Sequence, residues 1–161
     1  MAQGIRDLKV WQEAVALGGD VARVVRRHSA RETRGLGEQL LRDGLGLAGA
    51  VADGSLCPAP ADQRQHFRAA RRRLLALETH LAIARHADLV PAAAAAQLGA
   101  RATALGRLLA GYLSYLDRQV EEERRVLGSV LAPHVPGPGT VAAPTPPAGG
   151  TGAERPGARA D

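Results

Sequence analysis

Arg6-Asp7-Leu8-Lys9-Val10-Trp11-Gln12-Glu13-Ala14 opens a run in which apolar residues return every three or four positions. Leu8, Trp11, Val15, Ala22 and Val25 form the principal stripe as far as about His28, and Val10, Ala14, Leu17, Val21 and Val24 widen it. A repeat near 3.6 residues gathers these side chains on one side of a helix, whereas a strand would need strict alternation. Asp7 is placed to cap the free amides of the first turn. Gly18-Gly19 weakens the helix locally, which predicts close contact with a neighbouring helix there.

The same period returns three more times. Ser29-Ala30-Arg31-Glu32 has the spacing of a capping box and predicts a second helix through Leu36, Leu40, Leu47 and Val51, stopped near Gly54 by a left-handed glycine cap. Pro58 and Pro60 bar its continuation. Asp62 followed by Gln65 predicts the cap of a third helix, with Phe67, Ala70, Leu74, Leu77, Leu81 and Ala84 on one face and an end near Asp88. Pro91 and an alanine run open a fourth, carrying Leu98, Leu105, Leu108, Leu109, Tyr112, Leu116 and Val120. Short connections predict an all-α, antiparallel up-down-up-down four-helix bundle over residues 1–132. Seven of the ten prolines lie between Pro133 and Pro156, so residues 133–161 read as a disordered Pro/Gly-rich tail.

Composition agrees with helices and narrows the chemistry. The 161 residues include one Trp, two Tyr and one Phe, which leaves Leu, Val and Ala to build a single-domain core. No apolar run reaches the roughly 20 residues that span a bilayer. Cys57 is the only cysteine and no secretory pattern opens the chain, so a cytoplasmic protein is expected. The net charge of +5 falls outside the tail, where Glu154, Arg155, Arg159 and Asp161 cancel. A basic surface favours polyanions over acidic partners.

Three blocks, the opening Asp7-Leu8 through Trp11-Gln12, Gly35-Leu36 through Gln39-Leu40 to Ala52-Asp53-Gly54, and Leu77-Glu78-Thr79-His80-Leu81, occur in the order seen in one bacterial family. They resemble the four-helix-bundle proteins encoded in ribosomal RNA intervening sequences, whose relatives include the accessory protein of diversity-generating retroelements. The likeness covers roughly Ile5 to Val120. In helix 2 the chain departs from it: Leu41-Arg42 stands where the family commonly has two arginines, and Ala50-Val51-Ala52-Asp53-Gly54 where it has an Asn-Ile-Ala-Glu-Gly ending. Ala76 occupies a helix-3 position that is often glutamate. The resemblance implies a homopentamer, association with RNA or DNA, and a partner such as a reverse transcriptase or another nucleic-acid-processing protein. Leu75 and Ile83, off the main helix-3 stripe, are either a wide core face or a subunit contact.

Arginine is the chemistry this chain displays. Arg64, Arg68, Arg71 and Arg72 share one broad sector of helix 3 away from Phe67 and Leu74, and guanidinium groups at helical spacing can meet successive phosphates without reading bases. Their alternative is a solvated face loosely paired with carboxylates. Arg23, Arg26 and Arg27, with Arg31 and Arg34 beyond the turn, make a second patch, or simply favourable charge at a helix C-terminus. Gly44-Leu45-Gly46-Leu47-Ala48-Gly49 spells a dinucleotide-loop pattern, but no strand precedes it, and small residues for close helix packing explain it better. No Glu-x-x-His pair suggests a di-iron centre, and His28, His66, His80 and His86 read as surface or capping residues. Trp11 reads as a core anchor. Neither a catalytic residue, a metal site nor a cofactor is expected. The predicted protein is a non-enzymatic homopentamer binding RNA or DNA through arginine, with a protein-interaction scaffold lacking a nucleic-acid role as the alternative.

Overall fold

The computed structural model describes residues 4–28 and 31–131, and the predicted tail lies outside them. Four helices make up the fold: α1 (Lys9–His28), α2 (Arg34–Leu56), α3 (Pro60–His86) and α4 (Ala92–Leu131), with single 3-10 turns at Ile5–Asp7 and Arg31–Thr33. No strand is present among the described residues, and no helix is long and apolar enough to cross a membrane. Contacts between neighbours run in opposite senses. Gly54 lies against Phe67 while Asp43 meets His80, Arg64 meets Asp117 while Leu74 lies beside Gly106, and Asp20 meets Arg101 while Val10 shares a groove with Tyr112. Successive helices therefore pack antiparallel, α1 closing the bundle against both α2 and α4.

The helix-3 stripe is the core face as read: Phe67, Ala70, Leu74, Leu77, Leu81 and Ala84 are all buried. On α1 the face is turned. Val10, Ala14, Leu17 and Val21 are buried, Trp11 is half-buried, and Val15, assigned to the principal stripe, is 43% exposed. The cause lies across the interface, where a Cβ on Gly18 would meet the Gly44 carbonyl oxygen at 3.4 Å and one on Gly44 would meet the Gly18 Cα at 3.5 Å. Two backbones that close fix which side of α1 points inward.

Three helix ends depart from the sequence reading. Asp7 closes the 3-10 turn, and α1 starts one residue beyond Leu8, whose carbonyl accepts from both Trp11 and Gln12. Ala59 occupies the cap of α3 with Pro60 in the first turn, which leaves Asp62 inside that turn, where its charge favours the helix dipole. Gly54 stays helical and α2 runs on to Leu56, and the position takes glycine for another reason: a Cβ there would fall 2.9 Å from the Cβ of His66 and 2.9 Å from two ring carbons of Phe67. The glycine is required by helix approach rather than by a turn. Ser29 and the Glu32 side chain, the two partners of the supposed capping box, lie outside the described residues.

The end of α3 is closed as helices often are, with an unusual residue. Asp88 adopts φ 55°, the Leu89 amide donates to the Ala84 carbonyl at 2.8 Å, and the Asp88 amide donates to Arg85 at 3.1 Å. That pair of bonds normally surrounds glycine, and aspartate is among the few side chains that tolerate the left-handed region. The chain is thereby turned directly into Pro91 and α4.

Candidate nucleic-acid interface

The antiparallel register of α3 and α4 decides what surrounds the arginine sector. Arg64 Nη1 lies 3.2 Å and Arg68 Nη2 3.5 Å from the same Oδ1 of Asp117, and Arg71 Nη1 donates to the Gly106 carbonyl at 3.4 Å. Arg68, Arg71, Arg72 and Arg107 line an open groove of about 610 Å³ between the two helices, with Leu74, Leu75 and Ala110 on its floor and Glu78 at its edge. A Cβ at Gly106 would make ordinary contact with the Leu74 side chain at 3.5 Å. Five guanidinium groups thus face two carboxylates, Asp117 and Glu78. Apart from Arg64, they are exposed.

The four helix-3 arginines come together as the sequence places them. Arg107 escapes the sequence reading because it belongs to α4, and only the helix register puts it beside Arg71 and Arg72. Arg101, which meets Asp20 from α4, likewise carries no local signal that singles it out.

The second patch divides. Arg23 pairs with Asp20, whose other oxygen lies 2.6 Å from Arg101 Nη1, so Arg23 takes part in a small ion-pair network between α1 and α4. Arg26 and Arg27 are exposed in the last turn of α1, the negative end of that helix dipole.

A buried polar cluster also escapes the sequence reading. Asp43, only 4% exposed, accepts a hydrogen bond of 2.6 Å from His80 Nδ1, which must carry the proton, and faces Arg73 Nη1 at 3.7 Å. The Arg73 side chain lies along Gly46, where a Cβ would stand 3.3 Å from its Nε. One of the glycines in the dinucleotide-like pattern therefore makes room for an arginine, and Gly44 for α1; a Cβ on Gly49 would meet nothing. A signal for the cluster does exist: Asp43 sits between Leu40 and Leu47 on the buried face of α2, and Arg73 and His80 are seven residues apart on α3.

On the fourth side, Phe67 and Tyr112 lie with ring centroids 4.3 Å apart at 37°, joining α3 to α4. Burial, and then the neighbouring Tyr115, raise the Tyr112 pKa above its ordinary 10.0. Cys57 donates to the Asp53 carbonyl at 3.4 Å and is half-buried in the α2–α3 turn. No group of three or more His, Cys, Asp or Glu side chains suited to a metal occurs among the described residues.

No curated protein matches the chain in sequence. Residues 6–111 match the family described as 23S rRNA-intervening sequence protein, a stretch that takes in α1, α2, α3 and the first half of α4. That is most of the chain, and it includes Gly18, Asp43, Gly54, His80 and the helix-3 arginines. With four helices, the shared sequence blocks and the matched stretch all in agreement, the chain belongs to the 23S rRNA-intervening sequence protein family.

Proposed function

We propose that this protein is a non-enzymatic, RNA-binding accessory factor that meets phosphates through the arginine face of α3 and α4. The observation that carries the reading is the groove in which Arg68, Arg71, Arg72 and Arg107 converge with Arg64 alongside. Such a face binds a sugar-phosphate backbone by charge and counterion release, without base readout, and so accepts DNA as well as RNA. The family's description, which names an intervening sequence of 23S rRNA, makes RNA the first choice. The assembly we propose is a homopentamer working in the cytoplasm beside a nucleic-acid-processing partner, a reverse transcriptase being one such partner. Ile83, 50% exposed and outside that groove, supplies apolar surface for contacts between subunits.

Binding of generic single- and double-stranded RNA and DNA, measured across a salt series, tests the reading. Replacing Arg64, Arg68, Arg71 and Arg72 together by Gln leaves the core face of α3 untouched, so helix content stays. The change weakens binding to many sequences alike and, on duplex DNA, reduces the salt slope by up to about 0.9 for each phosphate that is no longer neutralised. No binding at low salt refutes the proposal. Unchanged affinity and slope in the variant would move the site to Arg26 and Arg27.

A further inference from the structure

The outer side of α4 sets an aromatic ring between two cations. Arg107, Gly111, Tyr115 and Arg118 are all exposed and fall within about 80° of one another around the helix, in a row about 16 Å long. Of the four aromatic side chains, Trp11, Phe67, Tyr112 and Tyr115, the bundle leaves only Tyr115 exposed, at 46%. Three rings lead out to it from the core. Phe67 is fully buried, Tyr112 lies 4.3 Å from it, and Tyr115 lies 6.0 Å beyond at a tilt of 42°, so Tyr112 is not stacked flat on the outermost ring. A Cβ on Gly111 would meet nothing within 4 Å, which leaves the row open between Arg107 and the ring. Tyr115 also lines a groove of about 370 Å³ between α1 and α4, with Leu8, Leu108 and Tyr112 and the cations Lys9 and Arg107. Arg107 belongs to the arginine groove on the other side of α4 as well, and so joins the two.

Such a row suits a ligand that carries negative charge and flat apolar groups together. Lys9 is held by Glu13 at 3.0 Å, but neither Arg107 nor Arg118 has a carboxylate within ion-pair distance among the described residues. An apolar protein surface laid over Tyr115 would leave both guanidinium groups unmatched. A duplex turns its phosphates outward and keeps its bases stacked inside, so it can meet the arginines but offers the ring no base. A single strand offers both. We infer that Tyr115 is a stacking platform for a base of single-stranded RNA whose phosphates rest on Arg107, Arg118 and the neighbouring α3 arginines. The inference rests on the phosphate-binding role proposed for the arginine face and adds to it a preference for unpaired strands. No sequence is read, because every base has a π-face. Tyr115 and Arg118 lie beyond the matched residues 6–111, so the preference belongs to this chain rather than to the family's description.

The test compares three probes on the full chain across a salt series: an oligo(U) strand, an abasic strand of the same length, and an RNA duplex. The parent protein binds oligo(U) at least about fivefold more tightly than the abasic strand. Tyr115→Leu keeps an apolar side chain beside Tyr112 and weakens oligo(U) binding by about fivefold to a hundredfold, with the salt slope unchanged because no phosphate contact is lost. Its affinity for the duplex and for the abasic strand stays that of the parent, and Tyr115→Trp restores oligo(U) binding. Arg107→Gln with Arg118→Gln does the reverse, lowering the salt slope on all three probes. Equal affinity of the parent for oligo(U) and the abasic strand overturns the inference and leaves the phosphate-binding reading standing, as does a Tyr115→Leu protein that binds oligo(U) like the parent or loses duplex and single strand alike. A change in oligomeric mass on sedimentation of Tyr115→Leu makes the ring a subunit contact and overturns it equally. No binding of any probe at low salt overturns both.

Discussion

Alanine at Gly54 and alanine at Gly49 should move stability in opposite directions, although both glycines lie in α2 only five residues apart. At Gly54 the new Cβ would stand 2.9 Å from the His66 Cβ and from two carbons of the Phe67 ring, against a comfortable carbon separation of about 3.5–4.0 Å. None of those atoms is the loose end of a side chain, and Phe67, fully buried, is held on its far side by Tyr112. Relief requires α2 and α3 to separate by a sizeable fraction of an ångström, an overpacking cost of about 1–3 kcal/mol that the roughly 1 kcal/mol gain in helix propensity only partly offsets. At Gly49 nothing stands within 4 Å, and alanine keeps the propensity gain of about 0.5–1 kcal/mol. Urea unfolding followed by helical circular dichroism, at one fixed protein concentration, separates the two by about 2 kcal/mol with similar slopes. Should Gly54→Ala stabilise as Gly49→Ala does, α2 and α3 do not approach as described and the packing argument fails.

Other outcomes follow from the interior. Asp43→Ala removes the acceptor of His80 and the counterion of Arg73, and should lower stability by about 2 kcal/mol, discounted for the half-exposed Arg73; Asp43→Asn, which still accepts, should lose less. A change below about 0.5 kcal/mol in the same urea assay would make the cluster energetically idle. The raised pKa of Tyr112 means that the fold holds its neutral form, so that share of stability is intact below pH 10.0 and is lost as pH climbs through the raised value. Unfolding measured across this alkaline range should show the fall, and Tyr112→Phe should flatten it; an identical fall in the variant would assign it elsewhere.

What could be read in the sequence was what local periodicity controls. The α3 stripe from Phe67 to Ala84 and the outward sector of Arg64, Arg68, Arg71 and Arg72 follow from one repeat with clear contrast between its sides. α1 is apolar around much of its circumference, so the side that faces inward is selected by its partner, through Gly18 and Gly44, and Val15 ends outside. Gly54 carries the same local signature as a helix terminator, and only Phe67 on another helix shows that it is a contact point. Asp43 reads as a break in a hydrophobic run until His80, 37 positions later, supplies its hydrogen bond. Arg107 and Asp117 join the candidate site for a related reason: the register of α3 against α4 is a property of two helices, written in neither alone.

Asp117 gives the arginine face a resident anion. Its carboxylate already occupies the space between Arg64 and Arg68, so an incoming phosphate there exchanges one negative group for another and gains little from the swap. Arg72 and Arg107 have no carboxylate within ion-pair distance among the described residues, and Arg71 meets only a backbone carbonyl. A ligand with a single charge therefore finds half the face spoken for, while a polymer can seat on the unengaged arginines first and displace Asp117 afterwards, each further phosphate strengthening its hold. On the proposed function, Asp117 weakens the advantage of a small phosphate at Arg64 and Arg68, and a longer polyanion gains more from this surface than a short one whatever its sequence.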